Sequence, residues 1–139
     1  MALTRPQLAQ LARHHAAVES AGDVEATLAT LTADPLYLLP AVGKRFSGRA
    51  MARRWYEQMV TAFQPRLAGG ELLGEWENAE GLVQEYKLTV RHAADELKEH
   101  HVIAVLTYGE DAISGERIYA DPTLLRAMAG ALWDELEPL

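Results

Sequence analysis

Ile113-Ser114-Gly115-Glu116-Arg117-Ile118-Tyr119-Ala120-Asp121-Pro122-Thr123-Leu124-Leu125 changes character once, at Asp121-Pro122. Up to Ala120 it reads as a strand. Asp before Pro then has the form of a helix N-cap with proline at the first helical position. Leu124, Leu125, Met128, Leu132 and Leu136 follow at helical spacing and predict a closing helix with a leucine-rich inner face. Upstream, the period is strand-like over residues 71–77, 82–92, 99–108 and 112–119, with Asn78, Gly81, Asp95, Gly109 and Asp111 in the separators. These runs predict four antiparallel strands. Tyr86, Leu88 and Val90 alternate with Glu85, Lys87, Thr89 and Arg91, so that strand has one buried and one wet face. Residues 102–106 lack such alternation and predict a central strand covered on both faces, one of them by a second copy.

The N-terminal half has helical spacing instead. Leu8, Leu11, Ala12, His15 and Val18 place an amphipathic helix over residues 4–21, ended by Gly22. Asp23 caps a second, short helix with Val24, Thr27, Leu28 and Leu31 facing inward. Residues 36–39 lie between Pro35 and Pro40, which exclude a helix interior and predict a short extended segment. A third helix opens at Ser47 or Gly48, carries Met51, Trp55, Met59 and Phe63 in register, and stops at Gln64-Pro65. Helices followed by a run of strands and a last helix make an α+β domain with helices gathered on one face of the sheet.

At 139 residues, 49% hydrophobic and 24% charged, the chain has the make-up of one domain able to enclose a core and a small cavity. A net charge of −7 argues against nucleic acid or an anionic membrane as partner, because both need clustered Lys and Arg. The one cluster, Arg49, Arg53 and Arg54, falls on the third helix and reads as its solvated face. Without cysteine there is no disulfide, thiolate nucleophile or sulfur ligand, which suits a reducing compartment and makes the cytoplasm the default location. Residues 1–10 include Pro6 and polar side chains where a signal peptide needs an apolar run, and no stretch approaches the roughly 20 apolar residues of a membrane span.

Three features in this order, the helix ending in Gly22-Asp23, the segment from Asp34 to Pro40 leading to Gly48, and the strand from Glu116 to Asp121, resemble the NTF2-like superfamily in its SnoaL-like and ketosteroid-isomerase-like branch. The resemblance spans residues 8 to about 130. It implies a cystatin-like cone: a curved antiparallel sheet, N-terminal helices on its concave face, a C-terminal helix, an internal cavity, and a homodimer formed through the sheet. It does not imply a reaction, since cyclases, isomerases, dehydratases, epoxide hydrolases and non-enzymatic domains share that scaffold.

His15 is the first candidate site residue. Relative to Gly22-Asp23 it occupies the place where ketosteroid isomerases carry an oxyanion-donating tyrosine, a role imidazole can fill. The alternative is a buried helix histidine satisfying a neighbour. The carboxylate base that those isomerases place before the proline of the short strand is Leu39 here, and the second acid of limonene-type epoxide hydrolases is Ile118, so neither mechanism is inherited. Glu116 shares the parity of Ile118; it is either a desolvated proton carrier or a solvated strand-entry residue. His100 and His101 project to opposite faces, and His101 is taken as the inward one. Asp121 is read as a cap, Asp34 as a turn residue, and Glu85 with Lys87 as an exposed ion pair. Leu38, Trp55, Tyr56, Met59, Phe63, Trp76, Tyr86, Val102 and Ile118 are the candidate substrate-binding residues, a lining suited to a small, mostly apolar organic ligand. No metal or cofactor is expected. The pattern favours an acid/base enzyme, an isomerase, cyclase or dehydratase, over a non-catalytic small-molecule-binding or dimeric assembly module.

Overall fold

In a computed structural model describing residues 1–139, Thr4 opens helix α1 (Arg5–Ser20) through a reciprocal capping box with Gln7. The helix buries Leu8, Ala9, Ala12 and His15. Asp23 accepts the Ala26 N–H and starts α2 (Val24–Leu28). That helix is shorter than its spacing predicts. Leu31 is buried, but as the first residue of β1 (Leu31–Leu39), a strand longer than the segment between the two prolines. The strand contains Pro35 because its pairing with β6 shifts register between Leu31 and Leu36, where no ladder hydrogen bond is asked of the proline.

β2 (Lys44–Ser47) returns antiparallel to β1. α3 (Arg49–Gln58) buries Ala52, Trp55 and Tyr56, and its end widens into a π-turn over Met59–Phe63 that keeps Met59 and Phe63 inward. β3 (Leu67–Asn78), β4 (Gly81–Arg91), β5 (Leu97–Tyr108) and β6 (Ile113–Tyr119) form an antiparallel meander, as the alternation predicts. Asp121 caps α4 (Pro122–Ala129) by accepting the Leu124 N–H. The closing helix does not run on to Leu136. Gly130 adopts φ 51°, and a Cβ there would lie 2.0 Å from Gln58 Nε2, so the chain turns into a 3-10 segment (Gly130–Glu135) that buries Leu132 and is followed by buried Leu136. β7 (Glu137–Pro138) then pairs with β2.

The sheet order is β3-β4-β5-β6-β1-β2-β7. It is antiparallel except at its centre, where β1 lies parallel to β6 and sets Tyr37 beside Glu116. Gly115 makes this junction possible. Its φ is 151°, and a Cβ would stand 1.8 Å from the Leu36 carbonyl oxygen. The inner face carries Leu82 and Val90 of β4, Val102, Ala104 and Leu106 of β5, Ile118 of β6, and Tyr37 and Leu39 of β1, all buried against the helices. Phe46 and Phe63 are almost wholly enclosed, each transfer from water contributing about 1.5–3 kcal/mol. The outer face is open. Ile103 of β5 is 40% exposed, so in the single chain residues 102–106 are covered on one face and not two. Their unbroken hydrophobicity hides a one-sided burial, because Ile103 and Val105 join Trp76 and Tyr119 on the outer side. No helix is long and apolar enough to cross a membrane.

Candidate active site

A cavity of about 860 Å³ lies between α1, the π-turn after α3, and the inner face of β3, β4 and β5. Met59, Phe63, Tyr86, Leu88 and Met128 give it an apolar body, and Glu19 and Glu116 give it a polar end. Glu116 reaches that end because β6 continues the parity of Ile118, and pairing with Leu106 on one side and Tyr37 on the other turns its side chain inward. Its side chain is 6% exposed, and its Oε2 has no hydrogen-bond partner. Burial, reinforced by the negative charge of Glu19, pushes the Glu116 carboxyl well above the usual carboxylate range. A buried carboxyl without a cation or donor is favoured in its neutral form, which gives it a proton to donate.

Behind this pair stands His15, wholly buried on α1. Its Nδ1 lies 2.6 Å from Thr30 Oγ1, and the Thr30 hydroxyl itself donates to the Thr27 carbonyl at 2.7 Å. Thr30 can therefore only accept, so Nδ1 carries a proton, and a neutral ring keeps its lone pair on Nε2. Tyr56 donates to that lone pair at 3.2 Å, and Tyr37 in turn hydrogen-bonds Tyr56. The result is a one-way chain from Tyr37 through Tyr56, His15 and Thr30 to a backbone carbonyl. Burial holds both tyrosines well above the ordinary phenol range, so both remain donors. His15 Nε2 is also 3.4 Å from Glu19 and 3.9 Å from Glu116. His15, Glu19 and Glu116 offer ligand atoms within 4.8 Å of one another, and they are the group that could hold a divalent cation.

The other expected site residues fall in three places. Met59, Phe63 and Tyr86 line the cavity with Glu116. Trp55, Tyr56, Val102 and Ile118 are core residues behind its wall, because α3 and the sheet centre pack directly on each other there. Leu38 and Trp76 belong to the outer face. In β1 the inward positions are Tyr37 and Leu39, and Trp76, 58% exposed, pairs with outward Val83. His101 is also outward. The register that pairs Leu88 with His100 turns His100 inward, but to the far end of the sheet, where it binds Asp121. His15 is wholly buried and does not line the cavity, to which it is joined through Glu19 and Glu116. Lys87 bridges Glu71 and Glu99 across the outer face rather than pairing with Glu85. Three residues of the network, Glu19, Thr30 and Tyr37, were not singled out from sequence. Glu19 had a signal, since it stands four positions after His15 on the same helical face.

No family model matches the sequence, and no curated protein matches it. Solved structures do. An NTF2-like protein of unknown function from Cytophaga hutchinsonii superposes with a TM-score of 0.69 at 15% identity, covering 81% of this chain and 98% of its own. A protein from Bacillus subtilis, provisionally named an isomerase, has a TM-score of 0.71 at 14% identity, with 92% and 96% of the two chains covered. One from Xanthomonas campestris, provisionally named a polyketide cyclase, has a TM-score of 0.70 at 18% identity, with 91% and 98% covered. The fold is NTF2-like. Glu116, whose Oε2 is buried without a partner, lines the cavity between the first helix and the concave sheet of that fold.

Proposed function

We propose that this NTF2-like chain is an acid/base enzyme that moves a proton on a small, mostly apolar organic molecule, as an isomerase, cyclase or dehydratase. The observation that carries this reading is Glu116: a buried carboxyl with an unpartnered oxygen at the polar end of an apolar cavity. In its neutral form it donates to a carbonyl or a departing hydroxyl of the substrate. Glu19, partly exposed beside it, is placed to take up or return the proton. His15 is a positioning residue, held by its chain of hydrogen bonds with Nε2 toward both carboxyl groups. Tyr86 and Phe63 orient the apolar body of the ligand. The provisional isomerase and cyclase names of two structural neighbours agree with proton-transfer chemistry. We also infer that two copies pair through the outer sheet face, where Trp76, Ile103 and Tyr119 are each 40–58% exposed; light scattering on the purified protein reads this directly.

The test is proton exchange. Apolar ketones are incubated with the protein in D2O, and exchange at the carbon next to the carbonyl is followed by NMR. Catalysed exchange is expected for at least one ketone, with a loss of about 100-fold or more in Glu116→Gln. Ketones that bind in the cavity without exchanging would instead make the chain a binding module, a reading favoured by Leu39 and Ile118 standing in the core at the positions where two enzymatic relatives keep acids.

A further inference from the structure

A second cleft, of about 470 Å³, opens where the ends of β4 and β5 meet α4 and is lined by Arg66, His92, Glu96, Lys98 and Arg126. Its charge is unusual for this chain. Acidic residues outnumber basic ones by 20 to 13, and Arg5, Arg13, Arg45, Arg53, Arg54, Lys87 and Arg91 all hold carboxylates. Arg66, Lys98 and Arg126 form no such pair, although all three border one cleft. Of the acids nearby, Asp95 is drawn to Arg91 and Asp121 is engaged by His100, which leaves Glu96 as the acid of the lining.

The cations are also held in place. Arg66 donates from Nε to the Arg91 carbonyl at 3.0 Å and from Nη2 to His92 Nδ1 at 3.2 Å, leaving Nη1 uncommitted. Arg126 stacks on the Trp133 ring at 4.8 Å, which fixes the guanidinium plane and leaves its N–H edge free. The floor is equally ordered. Because Arg66 can only donate to His92 Nδ1, the His92 proton is on Nε2, which donates to His100 Nε2 at 2.8 Å, and His100 Nδ1 donates to Asp121 at 2.5 Å. This run ties β4, β5 and the cap of α4 into one rigid base.

We propose that this cleft is a second ligand site, which binds the phosphate or carboxylate group of a small anionic molecule between Arg66, Lys98 and Arg126. The inference goes beyond the proton-transfer reading and does not depend on it. Planar guanidinium forks already oriented lose little freedom on gripping an oxyanion. His92 reports the same field: burial, together with the positive charges of Arg66 and Lys98, holds it below the ordinary histidine range. An anion in the cleft would offset those charges and raise it.

Inorganic phosphate, glycerol phosphate and citrate are titrated at constant ionic strength, with binding read by calorimetry and the histidine ring signals by NMR. Saturable binding at about millimolar concentration or below is expected, with His92 titrating at higher pH in the complex. Phosphate compounds alone saturating would assign a phosphoryl ligand; citrate alone would assign a carboxylate. The double substitution Arg66→Gln and Lys98→Gln is expected to weaken binding about tenfold or more. The surface substitution Glu96→Gln is expected to tighten it, and Glu116→Gln, in the other cavity, to leave it unchanged. Absence of saturation up to about 50 mM of every anion, or equal affinity in the double variant, overturns the proposal.

Discussion

Replacing Glu116 by Gln isolates the energetic consequence of burying an unpartnered carboxyl. The folded protein holds the Glu116 proton to a pH well above 4.5, whereas in the unfolded chain the group ionises near its ordinary value. Between those two values the folded state binds one proton more than the unfolded state. The sign follows: stability from this group is fully present below the unfolded pKa and is lost as pH rises through the folded pKa. One proton of difference corresponds to about 1.4 kcal/mol per pH unit. Glutamine has no such dependence. The amide adds a fixed cost of its own, since its buried donors and acceptor need partners, about 1–3 kcal/mol. That cost does not change with pH, so the diagnostic quantity is the slope of the difference between the two proteins.

Urea unfolding followed by the fluorescence of the three tryptophans, from about pH 4 to about pH 8, measures it. Near the lower limit the two stability curves run parallel. Above the ordinary glutamate range the wild type falls relative to Glu116→Gln by up to about 1.4 kcal/mol per pH unit, until the folded protein also releases the proton. Groups common to both proteins cancel. Glu19→Gln, made in the wild type, removes the neighbouring negative charge and is expected to end the fall at lower pH. Parallel curves across the whole range would mean that Glu116 ionises at its ordinary value, and would remove the basis for calling it a proton donor.

Thr30→Val removes the only acceptor for the His15 Nδ1 proton, and is expected to destabilise by about 1–3 kcal/mol in urea unfolding while leaving the cavity volume intact. Gly115→Ala forces a Cβ against the Leu36 carbonyl, and is expected to lower stability by about 1–3 kcal/mol or more and to weaken ligand binding through displacement of Glu116, read by thermal shift with and without ligand. Asp121→Ala loses the α4 cap, at a cost of about 1 kcal/mol. Against its own burial, the hydrogen bonds from His100 and the Leu124 N–H hold the Asp121 carboxyl below the usual range. Its contribution is therefore present above its unfolded pKa and is lost as pH falls through the folded one, so the variant is expected to be the less acid-sensitive protein by urea unfolding at low pH.

The periodicities of the chain were sufficient for the four helices, β1 and the β3–β6 meander in their order, but not for the short strands β2 and β7 or for the early end of α4. Alternation in residues 82–92, the Asp121-Pro122 stop and the Gly22-Asp23 break are local signals, because capping, turn chemistry and burial of one face act over a few residues. That Glu116 shares the parity of Ile118 was legible on the strand itself, but that this parity faces inward came from the family resemblance and left a solvated Glu116 open. Placement of the histidines was not legible. Whether His100 or His101 points inward depends on the pairing of β4 with β5, and a slip of one residue exchanges the faces. Tyr37 came to Glu116 only through the parallel alignment of β1 with β6, two segments far apart in sequence. The removal of Leu38 and Trp76 from the cavity, and the meeting of His15, Glu19, Tyr56 and Glu116 at its polar end, likewise depend on how the helices cross the concave sheet. Sequence determined which side chains had two faces to choose between; long-range register and packing chose, because the free energy that decides a face is gained only when distant segments meet.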